Sequence, residues 1–300
     1  MSAAQESKTD IQNFWGTVYR TAYGDSDAAL DKVSLSAGLR RLEDMFRLRD
    51  HLAVVEMPLD ALKGLRVLEI GPGAGGHSSL FATYGAHMTS IDVTHERAAA
   101  TQRKFNLLGE DVTGNATQGD AENLPFADET FDIVYSNGVL HHTHDTERAI
   151  DEAHRVLRRG GRAVIMLYSK GSVNYWFSLW FCVGILKGGI FRSHNWLGHA
   201  SEWIGDAPQT ATNPITRCYT GRQIRKMFGK FDRVGIRKSE FNGGDIHKLG
   251  RLWRRWRRPR YGVHDGGILV YGEPWEITTP LERRLGKHVG WAWNILAYRK

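Results

Sequence analysis

Between residues 66 and 168, short apolar runs alternate with longer amphipathic stretches, and this rhythm constrains the fold more than any other feature of the chain. Arg66-Val-Leu-Glu-Ile70, His87-Met-Thr-Ser-Ile-Asp92, Phe131-Asp-Ile-Val-Tyr-Ser136 and Arg162-Ala-Val-Ile-Met-Leu-Tyr168 are too short for stable helices and read as buried strands. Between them, 77–84, 96–107 and 146–157 read as helices. The last of these places Ile150, Ala153, His154 and Leu157 on one side, with Gly160-Gly161 as its stop. Strands separated by helices of this length form βαβ units, which predicts an α/β fold built on a parallel sheet with helices on both faces. Upstream, 10–24 and 37–52 read as helices. Downstream come two irregular insertions, 169–215 and 243–288, with a helix over 220–228 and strands over 231–241 and 291–298.

The first strand runs into Gly71-Pro-Gly73-Ala-Gly75-Gly76. Glycines there let the backbone turn sharply and approach a ligand with no side chain between. The helix that follows offers free N–H groups and a partial positive charge. Gly71, Gly73 and Gly76 satisfy G-x-G-x-x-G, and Asp92 follows Gly71 by 21 residues, the pattern of a dinucleotide site. Against that reading stands Glu69, whose carboxylate at the strand's end repels a pyrophosphate and suits a cationic or amino-bearing ligand. Further on, Gly119-Asp-Ala-Glu-Asn-Leu-Pro-Phe126 offers an acid and a turn to a heterocycle. The segment 131–142 ends in Leu-His141-His142, and 149–161 ends in Arg-Val-Leu-Arg-Arg-Gly-Gly161.

Taken together, these segments resemble the class I S-adenosylmethionine-dependent methyltransferases, in particular the type 11 group of mostly small-molecule enzymes, over about residues 64–168. The resemblance implies a Rossmann-like seven-stranded sheet with helices on both faces, and S-adenosylmethionine as cofactor. It places Glu69, Gly71 and Gly73 at the methionine end, with Gly75 permitting helix packing. Asp92 would hold the ribose hydroxyls and Val93 would pack on the adenine. Asp120 and Ala121 would meet the adenine edge, and Asn137 and Gly138 the sulfonium. The residues alone also allow Asp92 to be a helix N-terminal acid ahead of Thr94, and Asp120 an ordinary turn residue. Residues 1–60 are expected to form an N-terminal helical segment or lid. Its Tyr19 and Tyr23 would fold over the site, although an aromatic helix packed on the sheet explains them equally. Residues 61–300 would be the methyltransferase domain with the two insertions, and Tyr219 would reach the site from the second half of the chain.

Methyl transfer from a sulfonium is an in-line displacement that needs alignment and, for many acceptors, a base. His141 and His142 lie just past a strand, at the sheet's carboxyl edge, and are the candidate bases. The alternative is that Leu140-His141 pack beneath the next helix while His142 caps it. No metal is expected. In related metal-using enzymes the corresponding positions carry acids, and here they hold Gly138 and His141.

Charge divides the chain. Residues 1–150 hold 13 Lys and Arg against 22 Asp and Glu, and residues 151–300 hold 27 against 11, for a net +7 over 300 residues. Of ten tryptophans only Trp15 precedes residue 170. Residues 175–186 carry no charge but fall short of the ~20 needed to span a bilayer. They read as an active-site cap, a helix dipping into a membrane surface, or a satellite core. Residues 247–260 hold seven Lys or Arg and no acid, with Leu249, Leu252, Trp253 and Trp256 on one helical stripe. That suits an anionic membrane surface, RNA, or a solvated face over a packed stripe. The polar N-terminus and the pair Cys182 and Cys218 predict a cytoplasmic chain without a disulfide framework, with a peripheral position at the inner face of a membrane as a variant. The function expected is methylation of an O or N atom of a small apolar or amphipathic acceptor: a lipid, quinone-like molecule or secondary metabolite. An RNA methyltransferase using the basic half is the alternative, and an NAD(P)-dependent oxidoreductase rests on the glycine pattern alone.

Overall fold

The short apolar runs pair edge to edge because their β-branched and aromatic side chains bury on both faces once helices cover the sheet. The computed structural model describes residues 3–22, 24–201, 212–246, 249–257 and 278–300. Seven strands, β1 (Arg66–Ile70), β2 (His87–Asp92), β3 (Thr113–Gln118), β4 (Phe131–Asn137), β5 (Leu157–Tyr168), β6 (Arg233–Ser239) and β7 (Ala292–Tyr298), form one sheet in the order β3-β2-β1-β4-β5-β7-β6. β1 to β5 run parallel and β7 is antiparallel to both its neighbours. The strand order reverses between β1 and β4, which opens a crevice at their carboxyl ends.

Before the sheet come α1 (Ala3–Ala22), α2 (Gly24–Ala28), α3 (Lys32–Leu48) and α4 (Leu52–Val55). Between strands run α5 (Gly76–Thr83), α6 (His95–Leu108) and α7 (Thr146–Val156). On one face of the sheet Val67, Ile133, Tyr135 and Val164 pack against α3 to α6 through Leu42, Phe46, Phe81 and Phe105. On the other, Leu68, Val134, Ile165 and Leu167 pack against Ile150 and Ala153 of α7. The first insertion holds a π-helix (Asn174–Leu186), α8 (Gly189–Arg192) and α9 (Trp196–Ser201). The chain then passes through α10 (Gly221–Met227) to β6. α11 (Leu249–Arg257) and α12 (Pro280–Val289) lie between β6 and β7. α12 starts at a Thr279–Glu282 capping box with Pro280 in its first turn.

Two features differ from the sequence expectation. β3, Thr-Gly-Asn-Ala-Thr-Gln, has no apolar run because it is an edge strand, four of whose six residues are exposed. The Gly160-Gly161 pair does not stop a helix. α7 ends at Val156, and Leu157 already pairs with Phe131. The glycines form a bulge within β5, with Gly160 at φ 73° and the register shifting between Phe131 and Ile133.

The N-terminal helices are fastened by a buried ion pair. Lys104 of α6 is fully buried and donates to Asp27 of α2, itself buried, while the Tyr19 hydroxyl donates to the other Asp27 oxygen at 2.8 Å. Burial draws the Lys104 pKa down against the pull of Asp27, and burial with Asp27 raises the Tyr19 phenol above its ordinary value. Removing one partner strands the other charge without solvent. We expect Lys104→Met to cost ~3–5 kcal/mol in urea unfolding, and Lys104→Met with Asp27→Asn to recover part of it. A loss below ~1 kcal/mol for the single variant would show that the pair does not hold the helices.

Candidate active site

The site starts from a backbone that cannot carry side chains. Gly71, Gly73 and Gly75 all have positive φ, at 73°, 58° and 84°. A Cβ on Gly71 would lie 2.4 Å from Val139 Cγ2, and one on Gly75 would lie 2.8 Å from Thr101 Cα. Gly71 N–H donates to Ile91 O at 2.8 Å, tying the turn to β2. Gly75 therefore sits behind the turn, where α5 packs on α6. Gly71 and Gly73, on either side of Pro72, present bare backbone to a cavity of about 710 Å³, within the usual range for a small-molecule site.

That cavity lies along the carboxyl edge of the sheet. Its walls bring together Glu69, Gly71, Gly73, Asp92, Val93, Asp120, Ala121, Asn137, Gly138 and His142, all singled out from sequence. Glu69 is buried and accepts a hydrogen bond from the Ser78 hydroxyl, with His77 Nδ1 3.8 Å away. Burial pushes the Glu69 carboxyl up to about 8, and burial lowers His77 to about 4, so the two meet as neutral groups at neutral pH. Asp92 Oδ1 accepts from both the backbone N–H and the hydroxyl of Thr94 at 2.9 Å. Thr94 in turn caps α6. Asp92 thus supports a helix start while lining the cavity, so the two sequence readings of it coexist. Asp120 Oδ1 accepts from Glu122 N–H at 2.9 Å.

The Leu140–His142 segment is a single 3-10 turn, which points successive side chains ~120° apart. The two histidines accordingly part company. His142 lines the cavity with its Nδ1 2.8 Å from Ile215 O, and burial lowers it to about 4. His141 is a correction to the sequence reading: it is fully buried, stacks on Tyr168 at 3.7 Å between ring centres, and does not reach the cavity. Tyr219 is a second correction. Its side chain joins the buried cluster with Ile224 and Leu167 on the α7 face of the sheet, not the cavity. Tyr19 is a third: it is turned toward Asp27, Ala74 and Ala100, and it anchors α1 from outside the cavity. Tyr23 lies outside the described residues.

α1 does lie across the cavity, through residues the sequence reading did not single out. Lys8, Ile11, Gln12, Trp15 and Val18 line it. Lys8 Nζ donates to Asp120 Oδ2 at 2.6 Å and lies 2.7 Å from Glu122 Oε2. Burial works against the Lys8 charge, but the two carboxylates outweigh it and the net shift is upward. Trp15 sits 5.2 Å from the His142 ring, with the Arg97 guanidinium 5.0 Å above its own ring. Beyond His142, whose ring lies 5.6 Å from that of Tyr168, the wall continues through Met166, Tyr168, Trp291 and Glu240. Tyr168 and Trp291 stack at 4.4 Å. Glu240 adopts a left-handed backbone, φ 62°, held by Trp291 N–H donating to its carbonyl at 2.9 Å. Burial raises its carboxyl, with Arg49 and Arg237 opposing. A strained non-glycine residue on a cavity wall marks a position the fold holds at a cost.

Residues 68–165 match the family model described as Methyltransferase domain. The chain is 36% identical over 104 residues to a phosphatidylethanolamine N-methyltransferase from Cereibacter sphaeroides, covering 35% of this chain and 51% of that one. It is 33% identical over 144 residues to a demethylmenaquinone methyltransferase from Thermobifida fusca, covering 48% and 59%. The solved YcgJ protein of Bacillus subtilis aligns over 83% of this chain and 97% of its own, at 19% identity and a TM-score of 0.48. The chain spans half to three-fifths of the length of these two curated relatives. Residues 68–165 are a class I methyltransferase domain, a class whose methyl donor is S-adenosylmethionine.

Glu69 makes the stability of this site depend on pH. The unfolded chain releases the Glu69 proton near 4.5, whereas the folded chain keeps it to about 8. Between those values the unfolded state has lost a proton that the folded state still holds, so stability falls as pH rises, and it levels off above the folded value. We expect the urea midpoint of Glu69→Gln to decline less than that of the wild type between pH 5 and pH 8. Parallel curves would show that Glu69 titrates normally.

Proposed function

We propose that the chain transfers the methyl group of S-adenosylmethionine to an oxygen or nitrogen atom of a small, apolar or amphipathic acceptor. The observation that carries this reading is a single cavity with acids at one end, beside a bare glycine turn, and an aromatic wall at the other. The acidic end suits a cationic donor: Glu69 would meet the amino group and ionise against it, Asp92 the ribose hydroxyls, and Val93, Asp120 and Ala121 the adenine. Asn137 and Gly138, at the end of β4, would flank the sulfonium. When bound, that sulfonium supplies a methyl group already activated for displacement. The buried Glu69 carboxyl takes on charge most readily beside a cation, which favours the amino group of the sulfonium donor over a pyrophosphate and disfavours the nicotinamide alternative.

The aromatic end would hold the acceptor. Trp15, Tyr168 and Trp291 provide flat apolar surface there, and Met166 an adaptable one. The two relatives are named for a phospholipid and a quinone, consistent with an acceptor that has an apolar part. His142 Nδ1 lies 2.8 Å from Ile215 O, which only accepts, and 3.1 Å from the Asn213 amide nitrogen, which only donates, so each tautomer finds a partner there; with the proton on Nδ1, Nε2 would keep its lone pair. That nitrogen would take the proton displaced from the acceptor. A base lowered to about 4 is weak but unprotonated at neutral pH, and the oxonium formed by O-methylation is acidic enough to yield to it, whereas the ammonium formed by N-methylation would lose its proton to solvent. Residues 1–60 would act as lid and support, with α1 excluding water once the ligands are in place.

The direct test is transfer of labelled methyl from S-adenosylmethionine into extract, with mass spectrometry of the product. Two variants locate the roles. Asp92→Asn keeps an oxygen for Thr94 but removes the charge, and should weaken S-adenosylmethionine binding by about tenfold to a hundredfold in calorimetry while NADH does not bind. Unchanged affinity would take Asp92 out of the site. His142→Gln should lower kcat by about a hundredfold or more at unchanged cofactor affinity. The wild-type rate should stay flat down to about pH 5 and fall toward pH 4, since the His142 pKa is about 4. An acid limb near the ordinary histidine value of about 6.5 would assign the base elsewhere.

A further inference from the structure

Two insertions leave large apolar side chains in water. On the π-helix, Tyr175, Leu179 and Cys182 turn inward, packing toward Trp196 and Trp291. Its opposite side exposes Trp176 (50%) and Trp180, stacked edge-on at 5.4 Å, and α8 adds Phe191 at 79%. On α11, Trp253 donates through Nε1 to Glu282 at 3.1 Å, whereas Leu252 and Trp256 (74%) face out. Both insertions rise from the same edge of the sheet, at the ends of β5 and β6, and Lys238 of β6 donates to Gly171 O at 2.8 Å at the root of the first. Trp291 joins this region to the cavity, since it lines the cavity and packs on the π-helix cluster.

Within the exposed segments themselves the charge has one sign. Residues 170–201 contain Lys170, Lys187 and Arg192 and no acid, and residues 249–257 contain four arginines and no acid. Arg251 and Arg255 are exposed. Among the described residues no helix is long and apolar enough to cross a membrane.

We propose that the exposed faces of the π-helix, α8 and α11 dock the protein on an anionic lipid bilayer, beside the mouth of the cavity. Tryptophan and phenylalanine bury their rings at the headgroup boundary while arginine and lysine meet lipid phosphates. A second copy of the chain is a poor occupant, because a two-fold contact would press cation against cation. RNA would use the cations and rings but has no use for the exposed Leu252. This goes beyond the methyl-transfer reading and does not depend on it, since binding to vesicles is measured without turnover.

The experiment is flotation of the full chain with vesicles of phosphatidylcholine alone or mixed with phosphatidylglycerol. The wild type should bind the anionic vesicles at least about a hundredfold more tightly than the neutral ones. Arg251→Gln with Arg255→Gln should weaken that binding roughly fivefold per charge. Trp176→Ser, Trp180→Ser and Phe191→Ser together should abolish flotation, with the melting temperature and S-adenosylmethionine affinity of the wild type retained. Four outcomes overturn the proposal: no binding to either vesicle, equal binding by the aromatic variant, a wild-type dimer that this variant converts to monomer, or displacement from vesicles by RNA at stoichiometric amounts. If vesicles bind but no methyl transfer is found, only the enzymatic reading fails.

Discussion

No side chain fits at Gly71. Its left-handed backbone and the Val139 methyl groups against it leave only bare peptide there, and everything else at the site is arranged around that fact. Because Gly71 and Gly73 carry no side chains, β1 can bring a carboxyl group, Glu69, to the turn, buried and bonded to Ser78 of the following helix. Because Gly71 N–H is spent on Ile91 O, the turn is locked to β2, and the end of β2 delivers Asp92 to the same cavity. The reversal of strand order between β1 and β4 then opens the space those groups face. An alanine at Gly71 would push on Val139, which sits two residues before His141 and leads the 3-10 turn that orients His142. The donor end and the acceptor end of the cavity thus share one packing contact.

α1 is tied to the same cavity by charge. Lys8 pairs with Asp120 and Glu122, Arg20 with Glu96, and Tyr19 with the Asp27 that neutralises Lys104. The outer pairs are half-exposed, so each contributes little alone and can open without large cost. The Asp27–Lys104 pair is buried and fixes the pivot. A helix pinned at its C-terminal end and held by weak contacts elsewhere is suited to admit ligands by local release, without unfolding the sheet.

What was legible in the sequence was local. β1, β2, β4 and the glycine turn announce themselves because adjacent residues determine them, and so Glu69, Asp92 and Asn137 could be found where their strands end. β3 was hidden by its polarity, which an edge strand tolerates. The Gly160-Gly161 bulge was hidden because the same two letters also end helices. Lys8, Trp15, Glu240 and Trp291 were invisible for another reason. They meet across most of the length of the chain, and nothing near any one of them in sequence hints at the others. The His141–His142 pair shows the finest limit: both residues were visible, but only the rotation of one short turn decides which of them faces the cavity.

The division of charge along the chain acquires a physical sense from this arrangement. The acids of the first half are not spread evenly. Glu69, Asp92, Asp120 and Glu122 converge on the cavity, where Lys8 pairs with Asp120 and Glu122. The insertions 169–215 and 243–288, which leave the same edge of the sheet, carry a net +6 of the +16 of the second half. Cations beside the cavity mouth are drawn toward any anionic surface. That attraction brings the cavity mouth toward that surface before any contact is made, and the exposed tryptophans then need only short-range burial to hold it there. An acceptor with an apolar tail would in that case pass from the surface along Trp291 into the aromatic end of the cavity, so the segment that departs from the common methyltransferase pattern would also deliver the substrate.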